Sequence, residues 1–208
     1  GRSAQGRVTG GIGRGDVMSQ WAEPSAHGGR SVPGLSTGLS AVDAKITGMN
    51  KSDLILLAAR PGMGKTSMAL NVALSAARES GKTVAIFSLE MSKEQLVTRV
   101  YASEGLVENQ RLITGNLRES DWQRIAEAAS ALSCMDIRID DNPLLTVADM
   151  NAKCRRLENL GLVVIDYLQL MTSAGGKGYS GENRQQAVSD ISRMLKIMAK
   201  ELQVPVLC

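Results

Sequence analysis

Histidine, cysteine and aromatic residues are scarce in this 208-residue chain, and each shortage removes a class of chemistry. The one histidine, His27, stands in a Gly/Ser-rich stretch without a carboxylate or second ligand beside it, which sets aside His-based triads and most transition-metal sites. Cys134, Cys154 and Cys208 are odd in number, far apart and without a C-x-x-C spacing, so neither a disulfide framework nor a zinc site is spelled out. Unpaired thiols in a reducing cytoplasm are the expectation. Two Trp, three Tyr and one Phe are too few for folds that stack single-stranded bases on aromatic platforms. The longest apolar run, Leu54 to Ala59, falls well short of the roughly 20 residues a membrane-spanning helix needs. No charged-then-apolar leader opens the chain, so the expectation is a protein neither membrane-spanning nor exported. A net charge of +3 is too mild to announce nucleic acid, so any DNA contact must be local.

What is present reads as one globular domain with an appended segment. Hydrophobic residues at 43% and charged residues at 22% allow a buried core, and the length fits one domain at roughly 150 residues each. Residues 1–31, rich in Gly, Ser and isolated Arg, read as a flexible tail or linker, and 32–208 as the folded domain. From Asp53 onward, short β-branched or leucine-rich runs alternate with longer helical stretches, the pattern of an α/β fold with a mostly parallel central sheet flanked by helices. The predicted strands are Leu54 to Ala59, Thr83 to Ser88, Ile137 to Ile139, Leu162 to Asp166 and Val204 to Leu207. Helix starts are marked by reciprocal capping patterns at Ser92–Gln95 and Ser120–Gln123, and by a weaker one at Thr146 with Asp149. The clearest helix, Arg184 to Glu201, aligns Val188, Ile191, Leu195, Met198 and Leu202 in one apolar stripe, which reads as core.

The most informative stretch is a hydrophobic strand from Asp53, the turn Arg60-Pro61-Gly62-Met63-Gly64-Lys65-Thr66-Ser67, and then a helix. In such a loop, consecutive backbone N–H groups wrap a phosphate and the helix N-terminus adds partial positive charge. Lys65 would neutralise the outer phosphates and Thr66 would hold a magnesium ion, while Gly62 and Gly64 permit backbone conformations and close approaches that side chains obstruct. The strict pattern places glycine at position 59, where this chain has Ala59. Little is lost provided Ala59 keeps a negative φ.

A nucleotide triphosphatase also needs a carboxylate on the metal side and another to orient the attacking water. Leu162-Val-Val-Ile-Asp166 is an apolar strand ending in acid, making Asp166 the metal-side candidate, although a strand capped by Asp is also a common structural arrangement. Thr83-Val-Ala-Ile-Phe-Ser-Leu-Glu90 repeats the arrangement and offers Glu90 as general base. The alternative for Glu90 is an acid favoured by the dipole of the helix starting near Ser92. Residue chemistry alone thus reaches a magnesium-dependent nucleotide triphosphatase.

Ala58-Ala-Arg-Pro-Gly-Met-Gly-Lys-Thr66, Phe87-Ser-Leu-Glu-Met91 and Val164-Ile-Asp-Tyr-Leu-Gln-Leu-Met171 together resemble the phosphate loop, catalytic-glutamate segment and metal-binding strand of the RecA-like motor domain of DnaB-type replicative DNA helicases. That family also has Ala at the first loop position. Pro33 to Gly38, Arg111 to Gly115 and Met198 to Leu202 are similar to family sequence as well. The resemblance implies a RecA-like P-loop NTPase binding ATP and Mg2+ between the subunits of a homo-hexamer. It implies that the ring encircles single-stranded DNA, works with a primase and a helicase loader, and sits in the cytoplasm with no membrane partner. It further implies that the phosphate sensor, the trans-acting arginine, the main DNA-contacting loops and the last strands fall beyond Cys208, so that this stretch alone turns ATP over poorly; a neighbour's arginine is worth about 10³ to 10⁵ in rate in related reactions. Within the chain, the Gly-rich segment from Ser173 to Asn183 follows the metal-binding strand, and Lys177 and Arg184 are the candidate DNA contacts; a surface loop with solvated charges is the other reading. Two further functions stay open on sequence: another RecA-like ATPase of the recombination or clock type, and a non-catalytic nucleotide-binding or assembly module.

Overall fold

The computed structural model describes residues 33–60, 62–166 and 181–208, with the backbone alone for 181–185. Among these residues the strands are β1 (Leu54–Ile55), β2 (Thr83–Ser88), β3 (Ile137–Asp140), β4 (Leu160–Asp166) and β5 (Val206–Leu207). The helices are α1 (Ser40–Ile46), α2 (Lys65–Ser80), α3 (Lys93–Glu104), α4 (Asn109–Thr114), α5 (Glu119–Ser133), α6 (Val147–Cys154) and α7 (Gly181–Leu202). All the strand pairs are parallel and the sheet order is β1-β5-β4-β2-β3.

Residue alternation along the two central strands divides the core. Val84 and Ile86 of β2, with Leu162 and Val164 of β4, belong to an apolar cluster built with Leu70 and Ala73 of α2 and Leu96 of α3. Ala85, Phe87, Val163 and Ile165 belong to a second cluster with Met150 of α6 and Leu195 and Met198 of α7. Being covered on both faces, β2 and β4 carry unbroken apolar runs, Val84 to Phe87 and Leu162 to Ile165, as the sequence pattern predicts. The predicted stripe of α7 is core: Ile191, Leu195 and Met198 are buried, and Val188 and Leu202 pack at the margin.

β3, β4 and α7 run one to three residues beyond their predicted bounds, and the structure departs further from the predicted elements at three places. The strand expected over Leu54 to Ala59 is a ladder only at Leu54–Ile55, although Leu57 N–H still donates to the Cys208 carbonyl at 2.7 Å. Among the described residues β1 pairs on one side only, with β5, and Leu56 is 63% exposed, so its apolar run does not report two-sided burial. Likewise β5 is Val206–Leu207 rather than Val204 to Leu207, because Pro205 has no N–H to donate, although its carbonyl accepts from Val163 N–H at 3.1 Å. The cap expected at Ser120 lies two residues earlier: Asp121 accepts the Arg118 N–H at 3.0 Å, and Arg111 of α4 meets the same carboxylate at 3.3 Å. The Ser92–Gln95 and Thr146–Asp149 boxes form as expected.

Candidate active site

The loop between β1 and α2 is shaped by two glycines. Gly62 has φ 78° and Gly64, the N-cap of α2, φ 83°, both in the left-handed region where a Cβ costs roughly 1–2 kcal/mol. A Cβ built at either would meet nothing within 4 Å, so backbone conformation and not crowding makes glycine the fitting residue there. Ala59 is not among the residues with positive φ, which meets the condition for its extra methyl to be harmless. Pro61 lies outside the described residues.

Lys65 and Thr66 open α2 and point at one carboxylate. Lys65 Nζ is 3.0 Å from Asp166 Oδ1, and the Thr66 hydroxyl donates to Asp166 Oδ2 at 2.6 Å. Sheet order alone would not bring them together, because β5 lies between β1 and β4. The link is α2, which packs against both β4 and β2, so its first turn lies over the end of β4. Asp166 is only 5% exposed, and the two contacts satisfy an otherwise costly buried carboxylate.

Glu90 stands two residues past β2, whose last residue, Ser88, is in register with Asp166. It is exposed and lines the same cavity of about 1340 Å³ as Arg60, Gly62, Gly64, Lys65, Thr66 and Ser67. Lys65, Thr66, Asp166 and Glu90 therefore collect at one edge of the sheet, beyond the carboxyl ends of its strands, where ligands of open α/β sheets bind. Met63 is 74% exposed and is not among the residues lining this cavity. Lys177 and the side chain of Arg184 lie outside the described residues.

The donor set suits Mg2+. A hydroxyl and a carboxylate are hard oxygen ligands, and this ion characteristically takes one or two protein oxygens and completes its shell with phosphate and water. Among the described residues no group of three or more His, Cys, Asp or Glu side chains could form an all-protein cage. Burial pushes the Cys154 thiol up to about 12, so it stays protonated at neutral pH and does not compete as a metal ligand.

The cavity also holds residues that motif reading passes over. Asn71 of α2 and Arg99 of α3 line it with Ser103, whose hydroxyl donates to Asn71 Oδ1 at 3.1 Å. Their signal in the sequence is polar positions four residues apart, Ser67 with Asn71 and Gln95 with Arg99, on the facing sides of two helices.

A family model described as the DnaB-like helicase C terminal domain matches residues 34–208. The chain belongs to that family. It is 50% identical over 179 residues to the replicative DNA helicase DnaB of Geobacillus stearothermophilus, and 49% identical over 179 residues to the replicative DNA helicase DnaC of Bacillus subtilis (strain 168). Each match covers 85% of this chain and 39% of the relative, so the chain spans well under half the length of these relatives. Among solved structures, one ATPase domain superposes with a TM-score of 0.76 at 30% identity, over 85% of this chain and 63% of that one. A DnaB-like replicative helicase, studied with its interactions with primase, also gives 0.76, at 28% identity over 95% of this chain and 48% of that one. The fold of this DnaB-like domain is thus RecA-like, a parallel sheet flanked by helices. Among the described residues no helix is long and apolar enough to cross a membrane.

Proposed function

We propose that this domain is the ATP-hydrolysing motor of a replicative DNA helicase. The observation behind this reading is the meeting of Lys65, Thr66 and Asp166 at the start of α2, with Glu90 on the same cavity. In it, the backbone N–H groups from Gly62 to Thr66 wrap the β- and γ-phosphates, Lys65 turns from Asp166 to the outer phosphates, and Ser67 completes the cradle. Thr66 and Asp166 hold Mg2+, which when bound neutralises charge on the phosphate oxygens. Glu90 orients the attacking water and accepts its proton. The motor occupies residues 32–208 and residues 1–31 form a tail or linker, a division supported by a family match that begins at 34. In the whole protein the domain assembles as a homo-hexamer on single-stranded DNA in the cytoplasm, with Lys177 and Arg184 contacting phosphates and with primase and loader as partners. Support for the primase comes from the DnaB-like structural neighbour, whose own interactions are with primase.

Nucleotide binding is tested by thermal shift. At about 100 times Kd, Mg-ATP stabilises by about 2.7 kcal/mol, which raises Tm by roughly 5–10 °C in a domain of this size. Lys65→Ala is expected to abolish the rise. An equal rise in parent and variant rejects the assigned loop.

A further inference from the structure

Glu90 is carried by a turn whose anchoring centres on one buried hydroxyl. Ser88, the last residue of β2, is 0% exposed, yet its neighbours along the same face of the strand, Val84 and Ile86, are apolar core. Its Oγ donates to the Met91 carbonyl at 2.7 Å and accepts the Met91 N–H at 3.1 Å. One side chain thus closes the segment from 88 to 91 in both directions. On the near side of Glu90, Leu89 is buried in the opposite cluster and its N–H donates to the Asp166 carbonyl at 2.7 Å. On the far side, Ser92 caps α3 and Lys93 N–H donates to the Asp141 carboxylate at 2.9 Å. Both flanks of Glu90 are therefore tied down, and on the far side the contact next to Glu90 itself, at Met91, is made by Ser88.

Ser88 is also the register partner of Asp166, which invites a direct role at the metal. Its hydrogen bonds point to the turn instead: its one proton goes to the Met91 carbonyl and a lone pair takes the Met91 N–H. We infer that Ser88 is a positioning residue for Glu90: its hydroxyl clamps the turn from 88 to 91 and thereby holds the Glu90 carboxylate at the phosphate site. This rests on reading Glu90 as the general base. Misplacing a reacting group by about 1 Å can cost on the order of 100-fold in rate. Truncating Ser88 is accordingly a defect of rate rather than of binding.

The test is a double-mutant cycle on ATP hydrolysis in the full-length, assembled protein, with Ser88→Ala, Glu90→Gln and the pair, alongside Mg-ATP affinity and Tm. Ser88→Ala is expected to lower kcat about 10- to 100-fold, with the Mg-ATP Kd within about twofold of the parent. In the Glu90→Gln background, Ser88→Ala is expected to slow single-turnover hydrolysis by less than about twofold, since the group it positions is already disabled. Parent-like kcat in Ser88→Ala, an equal loss in both backgrounds, or weakened Mg-ATP binding overturns the role of Ser88 while leaving Glu90 as base. Parent-like hydrolysis in Glu90→Gln instead removes the base assignment, and the positioning role with it. Should the alanine chain fail to fold, Ser88→Cys fills the site with a slightly larger atom, weakens both hydrogen bonds and is read by the same criteria.

Discussion

The two faces of the sheet are equally apolar and do different work. The face under α6 and α7 is filled by Phe87, Val163, Ile165, Met150, Leu195 and Met198, and its buried Cys154 thiol is held protonated by burial. The face under α2 and α3 begins in the same way with Val84, Ile86, Leu162 and Val164. At its carboxyl edge those two rows end in Ser88 and Asp166, beside Lys65 and Thr66. The difference comes from strand parity. Side chains alternate at every residue, so the strand end that puts Asp166 in the α2 row leaves Ile165 in the other, and the chemistry lies on the side of the helix that opens at the phosphate loop.

The sharpest way to test this division is at its reactive edge. Glu90→Gln is expected to lower single-turnover ATP hydrolysis about 10²- to 10⁴-fold while leaving the Mg-ATP thermal shift intact. A matching loss of binding would mean that this edge does not separate chemistry from affinity. On the opposite face, Leu195→Ala empties a fully buried site and should cost about 2–5 kcal/mol in denaturant unfolding with no change in the Mg-ATP Kd. A large change in Kd would show that the α7 face also shapes the site.

The smallest expected effect lies at the amino-terminal ends of the strands, far from the chemistry. There the Thr83 hydroxyl, donating at 2.7 Å, holds the Asp136 carboxyl below its ordinary value, with Arg138 at 2.6 Å adding to the effect. The folded-state value is thus lower than the unfolded one. Stability from this contact is present above the ordinary carboxylate value near 3.8 and is lost as pH falls through the lower folded value. Thr83→Val should flatten that acid limb in a Tm-against-pH series. An unchanged limb would assign the acid sensitivity to other carboxylates.

The elements that can be read from sequence are those whose burial is local and complete. The central run Thr83 to Ser88 folds as a strand at the predicted boundaries because both its faces are covered, and the α7 stripe lies where its spacing puts it. The phosphate loop is legible for a different reason, since backbone geometry there demands glycine at Gly62 and Gly64. Features set by tertiary neighbours are less legible. The run at Leu54 to Ala59 is as apolar as β2 but pairs on one side, and no local pattern tells the two apart. α5 starts where Asp121 closes on the Arg118 N–H while paired with Arg111 of a separate helix, a partner that no local pattern shows. In sequence Ser88 is one more strand residue, because only the folded turn shows that its hydroxyl is spent on Met91.

Strand order has one further consequence, for the way the molecule is made. The strand that leads into the phosphate loop pairs, among the described residues, only with Val206–Leu207, so Leu54 waits for a partner about 150 residues downstream. During synthesis the pairs β2–β3 and β2–β4 can close while the nucleotide loop still hangs from an unattached end. Its amino-terminal side is anchored only after β5 has been made, and a ribosome-bound chain should grip nucleotide tightly only as that strand slots in.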